Sequence, residues 1–86
     1  MKIIRISAMW CGGCLSMHKV WKQIEEKYSN IEIVQYDYDM DEDIVKSYNV
    51  GTILPMAIFF DGDVEIARLN GEKTCEEIEE VINRYE

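Results

Sequence analysis

Hydrophobic positions in the first half of the chain alternate between strand-like and helix-like spacing. Residues 2–7 form a short segment rich in β-branched side chains, which predicts a strand in the centre of a sheet. From residue 16 to residue 28, apolar side chains recur every three or four positions, which predicts an amphipathic helix. A second strand is expected at residues 31–36. The helical stripe consists of Met17, Val20, Trp21, Ile24 and Tyr28.

An acidic stretch at residues 37–43 follows the second strand. It leads into a short helix that is expected to end near Tyr48. Carboxylates at a helix start complement the positive end of the helix dipole, so Asp39 or Asp41 is the expected N-cap. The stretch lacks the glycine-punctuated spacing of a calcium loop, and we do not expect a metal there.

The last third of the chain predicts a hairpin. The continuous apolar run at residues 56–60 is typical of a buried strand, and Asp61-Gly62 after it predicts a tight turn. The return strand at residues 64–69 has alternating character. Its expected faces are Val64, Ile66 and Arg68 on one side and Glu65, Ala67 and Leu69 on the other.

A terminal helix completes the order βαβαββα. Thr74 followed three residues later by Glu77 predicts a capping box at its start. With right-handed crossovers, we expect both β-helix-β connections to be parallel and the hairpin to add an antiparallel edge. The expected fold is α/β, a four-stranded mixed sheet with helices on both faces, and residues 1–86 form one domain. The expected inner stripe of the last helix is Cys75, Ile78, Val81, Ile82 and Tyr85.

The net charge of -8 argues against nucleic acid or an anionic membrane surface as a partner. The apolar runs are shorter than the roughly 18 residues of a membrane span, and the first ten residues lack the layout of a signal peptide. An odd number of cysteines, three, fits a reducing compartment better than a secreted disulfide framework. We therefore expect a cytoplasmic monomer.

Cys11 and Cys14 form a C-x-x-C pair at a strand-to-helix junction. A helix that begins near Gly12 or Gly13 points its free N–H groups at Cys11 and favours the thiolate, which is the nucleophilic form. Cys14, one turn on, is expected to be more buried and to attack Cys11 once a mixed disulfide has formed. The two glycines let a partner's backbone approach closely.

Trp10 and the charged residues near Cys11 and Cys14 also bear on the predicted site. Trp10 is expected either to flank the sulfurs as an apolar platform or to be a core tryptophan. Acidic residues are absent before Glu25, so the first segment is locally basic within an acidic chain.

The stretch from Trp10 to Cys14, Leu54-Pro55 before a strand, and Gly71 before the last helix together resemble the thioredoxin superfamily. The likeness spans the chain in a shortened form that lacks an N-terminal strand and helix. It implies that Cys11 is the nucleophile, Cys14 the resolving cysteine, and Pro55 a cis-proline whose neighbour Leu54 offers its backbone to an extended substrate. A trans proline that merely starts a strand is the alternative. The resemblance also implies disulfide-containing protein substrates and a reductase or small-thiol donor, with no cofactor.

Arg5 is the main departure from that family, because thioredoxins have a buried aspartate at the corresponding position. We expect proton transfer through water or another group, or a differently tuned pair. Arg5 itself is expected to project from a strand end and pair with a carboxylate such as Asp37. His18 is expected to be exposed, and Cys75 to be a small core residue.

Two metal-based functions are alternatives to redox chemistry. Met9 to Cys14 also fits the M-x-C-x-x-C pattern of copper-chaperone domains, in which two thiolates bind Cu(I). Those domains end on a strand, whereas this chain is predicted to end on a helix, so the redox function is favoured. An iron-sulfur cluster bridged between two chains through Cys11 stays open. A zinc site made by Cys11, Cys14, Cys75 and His18 would require Cys75 to leave the inner face of its helix.

Overall fold

The computed structural model describes residues 1–85 and confirms the order βαβαββα. No helix within that part of the chain has the length and apolar character needed to cross a membrane. The elements are β1 (Lys2–Ser7), α1 (Gly12–Lys27), β2 (Glu32–Asp37), α2 (Glu42–Ser47), β3 (Met56–Asp61), β4 (Val64–Asn70) and α3 (Cys75–Tyr85).

The four strands form one mixed sheet in the order β2-β1-β3-β4, which confirms the predicted sheet. β1 is parallel to β2, but β3 is antiparallel to β1, so the expectation of two parallel connections is wrong. β2 ends and β3 begins at the same end of the sheet, because Asp37 pairs with Ser7 and Met56 pairs with Ile6. α2 rises only about 9 Å, whereas a six-residue strand spans about 20 Å, so the helix alone does not carry the chain back to the end where β2 began.

Helices cover both faces of the sheet, as predicted. α1 and α3 pack on one face, and α2 packs on the other. β1 contributes to both sides, because Ile3 points into the first core while Ile4 and Ile6 point into the second. The first core contains Ile3, Met17, Trp21, Ile24, Ile31, Ala57, Phe59, Ile78 and Ile82, and the second contains Ile4, Ile6, Val45, Val50, Met56 and Ile58.

The predicted hairpin is present, but its details differ. The two turn residues are Gly62 and Asp63, one position later than expected, and Gly62 has the positive φ of 63° that such a turn requires. Ile66 packs on the same core as Ala67 and Leu69, so the expected alternation of β4 is wrong there. The partner strand explains this, because the pairing jumps from Phe60–Glu65 to Phe59–Ala67 and leaves Ile66 as the extra residue of a β-bulge.

The helix termini confirm the predictions only in part. Asp41 is the N-cap of α2, but its carboxylate accepts the backbone N–H of Asp37 at 2.8 Å and makes no capping bond. At α3 the Thr74 hydroxyl accepts the N–H of Glu77 at 3.2 Å, which is one of the two hydrogen bonds of a capping box. The inner stripe of α3 ends at Ile82, because Tyr85 is 47% exposed; its prediction as a core residue was wrong.

Ile78 offers a test of the core between α3 and the sheet. The side chain is fully buried, so we expect Ile78→Ala to lower the free energy of unfolding by about 2–5 kcal/mol. Urea denaturation of the reduced protein measures this. Val64→Ala is the matched control, since Val64 is 63% exposed and should change stability by less than about 0.5 kcal/mol. Equal losses in the two variants would contradict the described core.

Candidate active site

Cys11 is the N-cap of α1, which begins at Gly12 as the sequence predicts. β1 ends at Ser7, and a turn closed by the Cys11 N–H and the Ala8 carbonyl at 3.1 Å leads into the helix. The backbone of Cys11 is extended, and its sulfur accepts the N–H of Cys14 at 3.2 Å. The sulfur thus occupies the place of a capping oxygen at the positive end of the helix dipole, where a thiolate is stabilised.

The two sulfurs have different environments. Cys14 is 3% exposed, while Cys11 is half-buried, which confirms the predicted order of burial. Burial, followed by a hydrogen bond with Cys11, raises the pKa of Cys14, which reaches about 11. A backbone hydrogen bond at Ala8 and the charge of Arg5 act in the opposite direction. Cys14 is therefore a protonated thiol at neutral pH, and Cys11 is the sulfur that a large substrate can reach.

Trp10 stands at the surface next to Cys11, with 63% of its side chain exposed, so the core alternative is wrong. Its indole N–H donates to the Asp39 carboxylate at 2.7 Å, and its ring meets that of Tyr38 edge-on, with centroids 6.0 Å apart. Asp39 was expected at most to cap α2. It instead holds Trp10 in place, a role without a sequence signal because the two residues are 29 positions apart.

The Leu54–Pro55 peptide bond is cis, which excludes the trans alternative. Pro55 is buried at the start of β3, and Leu54 before it is half-buried. Met56 pairs with Ile6, so Pro55 lies at the end of the sheet where β1 leads into the cysteine loop. The Pro55 carbonyl accepts the N–H of Gly71 at 2.7 Å, which ties this strand start to the loop before α3.

That loop also reaches the cysteine pair through Glu72, which sequence reasoning missed. A Cβ added at Gly13 would lie 2.8 Å from the Glu72 carboxylate, whereas nothing lies within 4 Å of one added at Gly12. Gly13 thus permits a close contact, and Gly12 leaves open space above the helix start. Glu72 and Asp39 thus bring two carboxylates to a segment that has no acidic residue of its own.

The remaining candidate ligands lie elsewhere. His18 is exposed, as predicted. Cys75 is half-buried against the first core, and its thiol donates to the Gln23 side chain at 2.8 Å, on a part of α1 remote from Cys14. Within residues 1–85, His, Cys, Asp and Glu side chains form no group of three or more suited to a metal ion. The four-ligand zinc set considered from the sequence is therefore not assembled.

The family model for thioredoxin matches residues 1–84. The chain belongs to the thioredoxin family, whose members are dithiol–disulfide oxidoreductases. It is 35% identical over 79 residues to a thioredoxin of Listeria monocytogenes, covering 91% of this chain and 76% of that one. Thioredoxin H8 of Arabidopsis thaliana is 29% identical over 83 residues, which are 96% of this chain and 55% of the relative. The chain thus spans about half the length of one relative and about three quarters of the other.

Solved thioredoxin structures share the fold. Thioredoxin of Fasciola hepatica superimposes with a TM-score of 0.90 at 24% identity, covering 99% of this chain and 80% of that one. Mitochondrial thioredoxin 3 of Saccharomyces cerevisiae, in its oxidized form, gives a TM-score of 0.87 at 25% identity, with 96% and 76% covered. The predicted thioredoxin-like fold is confirmed.

Arg5, where thioredoxins have a buried aspartate, lies inside the protein with 7% of its surface exposed. Its guanidinium stacks over the Trp21 ring at 5.2 Å and donates to the Gln35 amide oxygen at 3.4 Å. The expected projection from a strand end and pairing with Asp37 are both wrong, because the Asp37 carboxylate accepts backbone N–H groups of its own loop. Burial lowers the pKa of Arg5, but a guanidinium stays charged in proteins.

The contact between Gly13 and Glu72 can be tested by stability measurements. Replacing glycine by alanine within a helix stabilises it by up to about 1 kcal/mol. We expect Gly12→Ala to show more of this gain than Gly13→Ala, because the new Cβ at Gly13 must displace the Glu72 carboxylate. In a Glu72→Ala background the two substitutions should become equal. Urea denaturation of the wild type, the two glycine variants and the same three proteins with Glu72→Ala measures these stabilities. A stability difference between Gly12→Ala and Gly13→Ala that persists with Glu72→Ala would contradict the contact.

The buried Cys14 thiol predicts a fall in stability at alkaline pH. Its pKa is raised from 9.0 to about 11 in the folded protein, so unfolded chains lose this proton first as pH rises. The stabilising contribution is present below about pH 9 and is lost as pH rises through about 11. We compare the free energies of unfolding of the reduced wild type and Cys14→Ser. The wild-type value minus the variant value should fall by about 1–3 kcal/mol across this pH range. An advantage independent of pH would contradict the burial of the thiol.

Proposed function

We propose that this chain reduces disulfide bonds in protein substrates, with Cys11 as the nucleophile and Cys14 as the resolving cysteine. The difference between the two sulfurs is the observation that carries the proposal. Cys11 is accessible and accepts a backbone N–H, whereas Cys14 is buried and holds its proton. A nucleophile that meets the substrate first needs access, and a resolving thiol must stay unreactive until the mixed disulfide has formed.

The reaction has two exchange steps. The Cys11 thiolate attacks one sulfur of the substrate disulfide, a new S–S bond forms, and the other substrate sulfur leaves as a thiolate that takes a proton from water. Cys14 then loses its proton and attacks the Cys11 sulfur, which releases the second substrate thiolate and leaves a Cys11–Cys14 disulfide. The substrate gains two electrons and the cysteine pair loses two. A second dithiol must reduce the pair before another cycle.

Exposed apolar side chains beside the pair provide a surface for such substrates. Met9 is 89% exposed, Leu15 is 62% exposed and Ile53 is 59% exposed, together with Trp10. Contiguous exposed apolar groups mark interaction sites, and Met9, Trp10 and Leu15 adjoin the two cysteines in sequence. An extended substrate segment would lie along Leu54 and the cis Pro55 by main-chain hydrogen bonds, with Gly12 leaving room for its backbone.

The proposal extends to setting and partners. An odd number of cysteines, three, suits a reducing compartment such as the cytoplasm better than a secreted disulfide framework. A reductase or a small thiol would supply electrons, and disulfide-containing proteins would consume them. The net charge of -8 disfavours nucleic acid and anionic membranes as partners. We propose that the chain acts as a monomer.

Cysteine variants test this mechanism. With a dithiol donor and a disulfide-bonded protein substrate such as insulin, Cys11→Ser should lower turnover by at least about a hundred-fold, since the nucleophile is gone. Cys14→Ser should accumulate a mixed disulfide with the substrate, visible by mass spectrometry under non-reducing conditions. Cys75→Ser is the matched control and should retain full turnover. Wild-type turnover in Cys11→Ser would overturn the assignment.

Copper titration tests the soft-metal alternative on the same proteins. Two thiolates at Cys11 and Cys14 can bind Cu(I), so the reduced protein is titrated with Cu(I) against a competing chelator. Tight one-to-one binding combined with undiminished turnover in Cys11→Ser would favour a carrier. Disulfide turnover that requires Cys11, with copper affinity no higher than that of a simple dithiol, supports the oxidoreductase.

A further inference from the structure

We propose that Arg5 is a positioning residue for the second exchange step, in which its buried guanidinium stabilises the Cys14 thiolate as that sulfur attacks Cys11. This inference rests on the proposed function, because it concerns the resolving half of the same reaction. It assigns a role to Arg5, the one charged side chain that is buried within residues 1–85.

Arg5 is fixed on the side of the sheet that α1 covers. Its guanidinium lies over the ring of Trp21, which belongs to the same buried stripe of α1 as Cys14. Gln35 on β2 accepts one of its N–H groups, and the Gln35 amide in turn donates to the Ser7 hydroxyl at 2.9 Å. Stacking on Trp21 and the hydrogen bond to Gln35 hold the guanidinium inside the protein, so its positive charge has a fixed position beneath α1.

The resolving sulfur lies on the buried face of α1, two helical turns before the Trp21 ring over which the Arg5 guanidinium lies. The Cys14 anion favours the charged form of Arg5, and Arg5 favours the anion of Cys14, since each interaction shifts the pKa of the other group toward ionisation. Opposite charges separated by a low-dielectric interior interact far more strongly than the same charges in water. Burial is the largest cause that disfavours the Cys14 thiolate, and Arg5 offsets part of that cost.

Other charged groups around Cys14 do not replace this contribution. On α1, Cys11 as a thiolate opposes a second anion, and the exposed Glu25 partly offsets Arg5. From the loop before α3, the Glu72 carboxylate lies over Gly13 and is also negative. β2 presents the neutral Gln35 beneath the helix. The Lys73 ammonium on the loop before α3 lies 3.8 Å from the Glu77 carboxylate, which leaves Arg5 as the cation that acts on the Cys14 sulfur among residues 1–85.

Arg5 stabilises an anion in this proposal and does not act as a base. A guanidinium is always protonated and donates only, so it cannot take the Cys14 proton. That proton passes to water or to the departing substrate thiolate, and Arg5 lowers the free energy of the anion that is left. In the first exchange step Cys14 keeps its proton, so Arg5 should affect the second step selectively.

The aromatic disulfide DTNB resolves the two steps in a Cys75→Ser background. With one equivalent of DTNB, the first coloured thiolate reports attack by Cys11, and the second reports attack by Cys14 on the mixed disulfide. We expect Arg5→Met, which keeps side-chain length but not charge, to slow the second release about three- to ten-fold at neutral pH. The rate of the second release increases with pH, and in Arg5→Met this increase should occur at a higher pH than in the parent. The rate of the first release should stay within about two-fold of the parent rate.

Matched variants isolate the charge. Arg5→Lys retains a cation and should recover most of the parent rate and pH profile. Lys22→Gln removes one positive charge from the exposed face of α1 and should leave both steps unchanged. If Arg5→Met does not fold, as judged by circular dichroism, Arg5→Gln gives the neutral comparison and can still bond to Gln35.

The outcomes distinguish the two proposals. A parent protein that releases only one thiolate would overturn the proposed two-cysteine function itself. A second release in the neutral variants with the parent rate and pH profile would overturn the role of Arg5 alone. Equal slowing in Arg5→Lys and Arg5→Met would also overturn it, because packing and not charge would then explain the loss.

Discussion

The central strand β1 is the element on which the rest of the structure depends. It pairs with β2 on one side and β3 on the other, and its side chains serve both cores. A slip of one residue would turn Ile4 and Ile6 from one core to the other, so the register of β1 is strongly fixed. Because that register fixes where β1 ends, it also fixes where the turn at Ala8 delivers Cys11 to the start of α1.

Local patterns were enough to predict the elements, but not every relation between them. The stripe of α1 and the apolar run of β3 depend on residues a few positions apart, and the structure confirms both. The direction of β3 depends on the end of the sheet to which the connection from β2 brings the chain, and hydrophobic periodicity does not record that. The bulge at Ile66 likewise depends on the partner strand, so the alternation within β4 pointed the wrong way.

In the active site, too, features set by neighbouring residues were predictable, whereas contacts between distant residues were not. Cys11, Cys14 and Gly12 follow from a short motif at a strand-to-helix junction, and the cis bond at Pro55 was expected from the family resemblance alone. The groups that hold the motif come from distant positions: Asp39 binds Trp10 and Glu72 covers Gly13. Side-chain contacts across loops leave no periodic signal, and the acidic residues that make them resemble ordinary surface charge in the sequence. The site is consequently more acidic at its margins than the first segment alone indicated.

In the proposed mechanism, a guanidinium at the position where thioredoxins have a buried carboxylate changes which part of the second step the protein assists. A buried carboxylate can accept a proton from a neighbouring thiol, but once ionised it disfavours a second anion nearby. Arg5 has the opposite properties, because it accepts no proton and favours the anion. Burial dominates the raised pKa of Cys14, and Arg5 offsets only part of it. Loss of that proton, to water or to the departing substrate thiolate, therefore remains the demanding part of the proposed second step. Cys14 stays a protonated thiol until a mixed disulfide places an electrophilic sulfur next to it.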